Sequence, residues 1–389
     1  MLMRREALTG NQAVAMAVMY SDVKFVAAYP ITPQTSIVEK ISYFVEKGLM
    51  KAKFVNVESE HSALAMTYGA ALGGVRSFTA TSSHGLLYMH EWVHWASRSR
   101  VPLVMAVVTR TIGPPWNIWP DHSDYMDQRD AGWIMLFAMD AQEAFDMTVQ
   151  AFRISEDERV FLPVMVGLEG FIVGGTTMSV ALPDEESVKE WVGERRQPFV
   201  FDGSANITLG NLASPEDTYI LHRNIHEDLL RSIEVIKEIE KDYSETFGLP
   251  YIGPVETVGE KESSYAVISM GAWSGDLAEA IKQLGRNDVS LYRIRVYRPF
   301  PCKELRQALS RKNGIVVFDR SISFGSFGPL YMDVKACLDS EYTNVVNVIG
   351  GLGGVDHSLG EYVSVLRKIL GEMDREEKLE KQIWMEVSR

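Results

Sequence analysis

Three residues whose side chains could act together on an anionic substrate follow short apolar segments: Thr32, Glu60 and Arg110. Thr32 lies between two prolines, which fix φ and remove backbone donors. Glu60 follows the apolar segment 54–57, and Arg110 follows the apolar segment 101–108. A carboxylate can serve as a general acid or base, and a guanidinium binds carboxylates in a bidentate geometry. These residue types therefore suggest acid–base chemistry on a carboxylate substrate.

The elements that must position these residues are β-strands. Segments 25–28, 54–57 and 101–108 are predicted strands, and residues 36–45 have the apolar spacing of a helix. Ligand sites of open α/β sheets lie at the carboxyl ends of strands. We therefore expect the three residues to share one edge of a sheet.

Strands and helices alternate to about residue 175, which is the signature of a doubly wound parallel-sheet α/β domain. A second, smaller α/β pattern begins near residue 265. The predicted organisation is a first domain over 1–180, a helical excursion and linker over 181–255, a second domain over 256–375 and a charged C-terminal tail over 376–389. The first helix is predicted over 6–21 and a single helix over 86–97. The tail is predicted to be helical or disordered.

A long charged helix is predicted over 214–247 within the excursion, capped by Ser214. It is interpreted either as a solvated spacer or as a surface that packs against a partner.

Composition narrows the function classes. The chain has 389 residues, 46% hydrophobic and 23% charged, with a formal net charge of −13. Such a charge argues against nucleic-acid and anionic-membrane surfaces, which need basic patches. No apolar run has transmembrane length, and the N-terminus lacks a signal-peptide core. Cys302 and Cys337 are too few for an iron–sulfur or cysteine zinc site and give no disulfide framework. A soluble, cytoplasmic protein is expected.

Several other patterns have two interpretations. Arg110 could instead form an internal salt bridge with Glu58, Asp121 or Asp124. The cluster 121–124 could bind a metal or cap a helix, and capping is favoured. His84, His90 and His94 could line one side of a helix, where aromatic packing is favoured over a metal site. The glycine-rich stretch 350–354 is not a phosphate loop, because no Lys-Ser/Thr pair follows it.

Six motifs together resemble one known family, the α subunits of 2-oxoacid:ferredoxin oxidoreductases, and most closely the pyruvate synthase type. The resemblance covers nearly the whole chain. The motifs are YPITP at 29–33, ESEHSA at 58–63, FTATSSHG at 78–85, NIWPDH at 117–122, YRPFP at 297–301 and ISFG at 322–325.

The resemblance implies a pyrimidine-binding domain for thiamine diphosphate, followed by a transketolase C-terminal-like domain. It also implies oxidative decarboxylation of pyruvate with CoA to acetyl-CoA, CO2 and reduced ferredoxin, or the reverse synthesis. Glu60 matches the glutamate that activates the cofactor. Thr32 and Arg110 match residues that bind the substrate's carboxylate and keto groups. Pro30 and Ile31 would line the same pocket beside the cofactor.

The resemblance places the rest of the enzyme in partner chains. This chain has neither a magnesium–diphosphate motif nor a cysteine set for clusters. Mg2+ and the iron–sulfur clusters are expected in partners, among a thiamine-binding β subunit and γ and δ subunits, with ferredoxin and CoA reached through the complex. No metal site, nucleic acid or membrane is expected for this chain. It should be inactive alone.

The chain departs from the pyruvate-type pattern directly after Arg110, where it reads TIGPPW at 111–116 instead of an Ala-Leu-Ser-Ala-like run. This loop borders the expected pocket, so the preferred 2-oxoacid stays open. Branched-chain 2-oxoacids and 2-oxoglutarate are alternatives, whereas Thr32 argues against oxalate. A non-catalytic scaffold subunit is the third alternative, and the joint presence of Thr32, Glu60 and Arg110 weighs against it.

Overall fold

The computed structural model describes residues 3–204, 206–338 and 344–387. The first two residues of the predicted N-terminal domain and the last two of the predicted tail lie outside these ranges. Strands and helices alternate through most of the described chain, and the strands form three sheets.

The N-terminal part alternates strands with helices, and its central strands are wholly buried, as in a parallel sheet covered on both faces. The elements are β1 (Arg4–Thr9), α1 (Gly10–Tyr20), β2 (Phe25–Ala28), α2 (Thr35–Glu46), β3 (Lys53–Asn56), α3 (Glu60–Leu72), β4 (Ser77–Thr81), α4 (Ser83–Tyr88), α5 (His90–Arg98), β5 (Val104–Thr109), α6 (Ser123–Met126), β6 (Ile134–Phe137), α7 (Ala141–Glu156) and β7 (Val164–Glu169).

The C-terminal part repeats the alternation after one long helix. Its elements are β8 (Thr177–Leu182), α8 (Glu185–Val192), α9 (Pro215–Phe247), β9 (Val255–Val258), β10 (Tyr265–Met270), α10 (Trp273–Leu284), β11 (Val289–Ile294), β12 (Val296–Arg298), α11 (Cys302–Leu309), β13 (Gly314–Asp319), α12 (Pro329–Cys337), β14 (Val345–Ile349), a 3₁₀ turn (Leu352–Gly354), α13 (Leu359–Asp374) and β15 (Gln382–Trp384).

The larger sheet has seven strands in the order β12-β6-β7-β5-β4-β2-β3. All neighbours are parallel except β12, which runs antiparallel to β6. Because β3 lies on one side of β2 and the later strands lie on the other, the sheet is doubly wound. The predicted α/β class is confirmed.

The second sheet has six strands in the order β15-β14-β13-β10-β11-β9, and only β9 is antiparallel to its neighbour. One apolar cluster contains Phe137 of the first sheet together with Ile268 and Tyr292 of the second. The two sheets therefore share a core.

The predicted first helix is wrong at its N-terminal end. Residues Arg4–Thr9 form β1, which pairs antiparallel with β8, and the helix begins only at Gly10. Thr9 Oγ1 accepts a hydrogen bond from the backbone N–H of Gln12 at 3.2 Å, and the Gln12 side chain accepts one from the Thr9 N–H at 3.1 Å. This capping box starts the helix at that point. The strand partner of β1 is too distant in the chain to be read from local spacing.

Two further elements differ from prediction. The single helix predicted over 86–97 is two helices, α4 and α5, which meet at Met89. Part of the tail expected to be helical or disordered forms β15, because it pairs with β14. The helical excursion predicted over 181–255 contains the end of β8 and the helix α8 before its long helix.

The long helix α9 begins where it is predicted, with Ser214 Oγ accepting a hydrogen bond from the Asp217 N–H at 3.1 Å. Its second half is not a solvated spacer, because it packs on α7 within the same chain. The buried apolar residues of this half are Val235, Ile236, Ile239, Tyr243 and Phe247. Its first half is mostly exposed.

The expectation that the cysteines form no disulfide is wrong. Cys302 and Cys337 are bonded to each other, with their Cα atoms 5.2 Å apart. The bond joins the start of α11 to the end of α12. The two cysteines are 35 residues apart in the sequence, so local patterns could not predict this contact. The cysteines therefore carry no argument for a reducing compartment.

Across the described ranges, none of the helices combines the length and apolar character needed to cross a membrane.

Candidate active site

The three predicted site residues follow neighbouring strands of the seven-stranded sheet. Strands β5, β4, β2 and β3 are adjacent in that order and run parallel. Thr32 follows β2, Glu60 follows β3 and Arg110 follows β5. Because the carboxyl ends of parallel strands meet at one edge, all three residues lie at the same edge of the sheet.

Arg110 contacts Thr32 through the backbone of Thr32. Arg110 Nη1 donates a hydrogen bond to the Thr32 carbonyl oxygen at 2.9 Å, and its Nε donates one to the Asn117 carbonyl oxygen at 3.1 Å. Thr32 is exposed. The backbone of Thr32 thus holds the guanidinium, while the hydroxyl stays at the surface.

No carboxylate of the described residues forms an ion pair with the Arg110 guanidinium, although Arg110 is only 6% exposed. The alternative of an internal salt bridge with Glu58, Asp121 or Asp124 is therefore not realised. Burial lowers the pKa of Arg110, and the nearby charge of Asp124 offsets only part of that effect. The ring of Trp116 lies 5.3 Å from the guanidinium carbon. This buried cation lacks an anionic partner.

Glu60 is the first residue of α3, directly after its cap Ser59, whose Oγ accepts a hydrogen bond from the Ser62 N–H at 3.2 Å. Glu60 is 8% exposed, and within the described part of the chain its carboxylate accepts no hydrogen bond. Gly85 lies against it: a Cβ at Gly85 would stand 2.8 Å from Glu60 Oε1 and 2.5 Å from Thr81 Oγ1. Only glycine permits this close approach.

The loop of Pro30 and Ile31 connects β2 to α2. Pro30 is exposed and Ile31 is half-buried. The buried side chain of Gln34 donates a hydrogen bond from Nε2 to the Tyr29 carbonyl oxygen at 2.9 Å. The apolar side chains of the loop are therefore presented at the same sheet edge as Thr32.

Asn11 also holds this loop, and its role was not predicted. Asn11 is 2% exposed. Its Nδ2 donates to the Pro33 carbonyl oxygen and to Ser36 Oγ, both at 2.8 Å. The helical pattern around Asn11 marked it only as a polar residue on a largely buried helix.

The cluster 121–124 organises loops. Asp121 Oδ1 accepts a hydrogen bond from the Ser123 N–H at 2.9 Å, and its Oδ2 accepts one from the Gly353 N–H at 2.8 Å. No group of histidine, cysteine or acidic side chains in the described chain is arranged to hold a metal ion. Asp121 binds the N–H of Ser123, the first residue of α6, whereas His122, at the cap position of that helix, makes no capping hydrogen bond with its side chain.

Asp124 is fully buried and accepts three backbone hydrogen bonds. Its Oδ2 accepts from the N–H groups of Ser83 at 2.6 Å and Arg110 at 3.0 Å, and its Oδ1 accepts from Tyr125 at 2.8 Å. Burial raises the pKa of Asp124 to about 8, against the opposing effect of these donors. Sequence reasoning treated it only as a possible ligand or salt-bridge partner.

The histidines of the α4–α5 region bind protein groups. His84 Nε2 lies 3.1 Å from the Gly113 carbonyl oxygen, and His90 Nδ1 lies 2.8 Å from Gln128 Oε1. The rings of His90 and His94 are 4.6 Å apart. Burial lowers the pKa of His94. The favoured interpretation as aromatic packing fits only the contact between His90 and His94, because His84 and His90 otherwise form hydrogen bonds.

The loop after Arg110 rests on the second sheet. Asn117 Nδ2 donates to the Gly353 carbonyl oxygen at 3.0 Å, and Arg320 Nη2 donates to the Pro120 carbonyl oxygen at 3.2 Å. A Cβ at Gly354 would stand 2.2 Å from the Trp119 Cβ. The glycine-rich stretch 350–354 therefore permits close contact with this loop.

A buried pair also joins the two sheets near this edge. His122 Nε2 lies 3.1 Å from Glu169 Oε1, and the same oxygen accepts a hydrogen bond from the Ala272 N–H at 3.0 Å. Glu169 ends β7, and Ala272 follows β10. Local sequence patterns gave no sign of this contact.

Two family models match most of the chain. Residues 16–243 match the family described as "Pyruvate flavodoxin/ferredoxin oxidoreductase, thiamine diP-bdg", and residues 263–362 match "Pyruvate:ferredoxin oxidoreductase core domain II".

Several relatives match this chain over nearly their whole length. A pyruvate synthase subunit PorA from Methanocaldococcus jannaschii is 38% identical over 370 residues, covering 94% of both chains. A PorA from Thermotoga maritima is 39% identical over 361 residues, covering 91% of this chain and 92% of the relative. A ketoisovalerate oxidoreductase subunit VorA from Pyrococcus abyssi is 36% identical over 382 residues, covering 96% of both.

Solved structures show the same fold. A 2-oxoglutarate:ferredoxin oxidoreductase from Magnetococcus marinus matches with a TM-score of 0.75 at 20% identity, covering 94% of this chain and 65% of that one. A split-gene transketolase matches with a TM-score of 0.52 at 13% identity, covering 95% and 98%. From the family models and the full-length relatives, the chain belongs to the pyruvate flavodoxin/ferredoxin oxidoreductase family, with a thiamine diphosphate-binding domain followed by core domain II.

Proposed function

We propose that the chain is the α subunit of a thiamine diphosphate-dependent pyruvate:ferredoxin oxidoreductase. The reaction converts pyruvate and CoA to acetyl-CoA and CO2 and passes two electrons to ferredoxin, or runs in reverse. Relatives named pyruvate synthase subunits, 38–39% identical, support the substrate. The observation that carries the proposal is that the Arg110 guanidinium and the Glu60 carboxylate lie at the same sheet edge. Neither group has an ion-pair partner among the described residues.

The residues at this edge fit the pyrimidine end of thiamine diphosphate. Glu60 is almost buried, free of hydrogen bonds within the described residues, and kept clear by Gly85. An aminopyrimidine ring nitrogen would donate, in its protonated form, the hydrogen bond that this carboxylate lacks. When bound, thiamine diphosphate supplies a stabilised carbanion for attack on a ketone carbon. Pro30 and Ile31 would provide an apolar wall beside the ring.

Glu60 performs general acid–base work in this proposal. Its carboxylate would hold a proton shared with the ring nitrogen and would so favour one tautomer of a bound aminopyrimidine. Its place at the start of α3 and its near-burial keep water from competing for that bond.

Arg110 and Thr32 bind the 2-oxoacid. The guanidinium, held by the carbonyl oxygens of Thr32 and Asn117, presents its remaining donors to the substrate carboxylate. The Thr32 hydroxyl then faces the keto oxygen. Fixing the carboxylate that leaves as CO2 orients the ketone for attack.

The remaining parts of the enzyme are assigned to partners. We propose that a β subunit holds the Mg2+-bound diphosphate, that γ and δ subunits complete the complex, and that partner subunits carry the iron–sulfur clusters. The chain is inactive alone, and the complex is cytoplasmic. The domain boundaries at residues 180, 255 and 375 belong to the same proposal.

A branched-chain 2-oxoacid is the second candidate substrate. Relatives named ketoisovalerate oxidoreductase subunits are 36% identical over nearly the whole chain. The loop that departs from the pyruvate-type pattern carries Trp116, which is 62% exposed beside Arg110. This loop borders the proposed pocket and can set the size of the accepted acyl group.

Steady-state assays of the assembled complex test the proposal. Reduction of ferredoxin is followed with CoA and each of pyruvate, 2-oxoisovalerate and 2-oxoglutarate. The proposal predicts the highest kcat/KM with pyruvate. A higher kcat/KM with 2-oxoisovalerate would show that the substrate is a branched-chain 2-oxoacid and that the reaction type is as proposed. No turnover of any 2-oxoacid by a complex that binds thiamine diphosphate would overturn the proposal in favour of a scaffold.

A further inference from the structure

We propose that Asp124 is a positioning residue, which holds in register the two loops that place Arg110 and Glu60. The inference rests on the proposed function of those two residues. The first loop follows β5 and begins with Arg110. The second follows β4 and runs from Ser82 to Gly85. Asp124 lies at the start of α6 and touches neither proposed ligand-binding group with its own side chain.

The contacts of Asp124 join the two loops at a single oxygen. Oδ2 accepts the backbone N–H of Ser83 at 2.6 Å and that of Arg110 at 3.0 Å. A displacement of either backbone therefore disturbs the other bond. The carboxylate is itself fixed, because Oδ1 accepts the Tyr125 N–H at 2.8 Å and the residue has no exposed surface.

Ser83 adds a second connection between the loops. Its Oγ donates a hydrogen bond to the Thr111 carbonyl oxygen at 2.6 Å. Its φ is +48°, in the left-handed region that non-glycine residues seldom adopt. Such a conformation persists when surrounding contacts hold it in place. The bonds to Asp124 and Thr111 are those contacts.

The Ser83 loop bears directly on Glu60. Two residues after Ser83, the backbone of Gly85 lies so close to Glu60 that a Cβ would stand 2.8 Å from Oε1. His84, between Ser83 and Gly85 in the sequence, contacts the Gly113 carbonyl oxygen at 3.1 Å. The position of the Ser83 loop therefore limits where the Glu60 carboxylate can lie.

Removing the side chain of Asp124 tests the positioning role. Asp124→Ala deletes both oxygens and with them all three hydrogen bonds. Asp124→Asn would be a weaker test, because its amide oxygen could still accept from both Ser83 and Arg110 at the position of Oδ2. Asp146→Ala is the control, because Asp146 is another hydrogen-bonded aspartate, which accepts from Tyr243 at 2.8 Å and from Gln142, but lies on the face of α7 toward α9.

The test uses both variants in the assembled complex and reads amide hydrogen exchange and kcat/KM for pyruvate. Asp124→Ala should speed exchange in both segments, 82–85 and 109–113, by about tenfold. It should lower kcat/KM by about 10- to 100-fold, as expected for displaced catalytic groups. Asp146→Ala should change neither. A Ser83→Ala variant, which removes only the bond to Thr111, should show a smaller effect of the same kind, including when Asp124→Ala fails to assemble.

Unchanged exchange and kcat/KM in Asp124→Ala, or in Ser83→Ala should that variant alone assemble, would overturn the inference. So would faster exchange in only one of the two segments. Failure of the proposed function gives a different result, because the wild-type complex would then turn over no 2-oxoacid. Failure of the proposed site would leave full turnover in Glu60→Gln and Arg110→Ala. If those two variants lose turnover while Asp124→Ala does not, only the positioning role is rejected.

Discussion

At the scale of single residues, the site depends on two charged groups that the described protein leaves without partners. Arg110 is buried with only carbonyl oxygens as acceptors, and Glu60 is nearly buried without a donor. Burying such groups unpaired costs several kcal/mol, roughly 2–7 for a polar group by transfer data. Both arrangements become favourable when a ligand supplies the missing partner.

Removing the guanidinium should weaken substrate use. Arg110→Ala should raise KM for the 2-oxoacid and lower kcat/KM by about 10²-fold, because a charged hydrogen-bonded pair worth ~3 kcal/mol is lost. Steady-state kinetics of the complex measure this. Arg98→Ala, at an exposed arginine at the end of α5, is the control and should leave kinetics unchanged. An unaltered kcat/KM in Arg110→Ala would show that the guanidinium only stabilises the loop and does not bind the substrate.

A methyl group at Gly85 should displace the Glu60 carboxylate, since the added Cβ would stand 2.8 Å from Oε1. Gly85→Ala should lower kcat about tenfold or more, because misplacing a catalytic group by ~1 Å has large effects. Gly69→Ala is the matched control on α3, where nothing lies within 4 Å of a Cβ. Equal kcat values for the two variants would show that the close contact between Gly85 and Glu60 does not affect catalysis.

At the scale of elements, the site is a set of loops at the carboxyl ends of β2, β3, β4 and β5. Sequence reasoning could predict the strands, because apolar segments end shortly before Thr32, Glu60 and Arg110. It could not predict what holds the loops. Asn11 and Asp124 each bond backbone groups of residues remote in the chain, and a polar residue in a helix or turn gives no sign of such a partner.

The β2–α2 loop should depend on Asn11. Asn11→Ala removes bonds to Pro33 and Ser36, so stability should fall by about 1–3 kcal/mol and KM should rise. Ser36→Ala removes one of these bonds and should have a smaller effect on both quantities. Denaturation curves and kinetics of the two variants measure the difference. An effect of Ser36→Ala as large as that of Asn11→Ala would contradict the role of the Pro33 bond.

At the scale of the whole molecule, a buried ionic network joins the second sheet to α7 and to the long helix α9. Arg293 on β11 and Arg295 after it both bind Glu143 on α7, at 2.6 and 2.8 Å. Arg295 also binds Glu240 on α9 at 2.5 Å. The composition and periodicity that predicted the α/β class carry no trace of this network, because its members are far apart in the chain. The disulfide between α11 and α12 escaped prediction for the same reason.

This network should make the protein sensitive to acid. Burial disfavours ionised Glu143, but the charges of Arg295 and Arg293 outweigh burial and lower its pKa to about 2. A lowered pKa in the folded state contributes stability above the unfolded value near 4.5, and that stability is lost as pH falls toward 2. The contribution at neutral pH is on the order of 3 kcal/mol.

Thermal melts of wild type and Glu143→Gln between pH 7 and pH 3 test this dependence. The variant should be less stable at pH 7 by about 3–5 kcal/mol, because two buried guanidinium groups lose a partner. The difference should shrink as pH falls below 5. A difference that stays constant over this range would show that Glu143 contributes through packing alone.

In the proposed function, Glu60 supplies the carboxylate that activates thiamine diphosphate. Turnover of the assembled complex carrying Glu60→Gln tests this role, with Glu58→Gln, at an exposed neighbouring glutamate, as the control. We expect Glu60→Gln to lower kcat by about 10²- to 10⁴-fold while the complex still assembles, since a general acid–base group is lost. Glu58→Gln should keep near wild-type turnover. Near wild-type turnover in Glu60→Gln would contradict the claim.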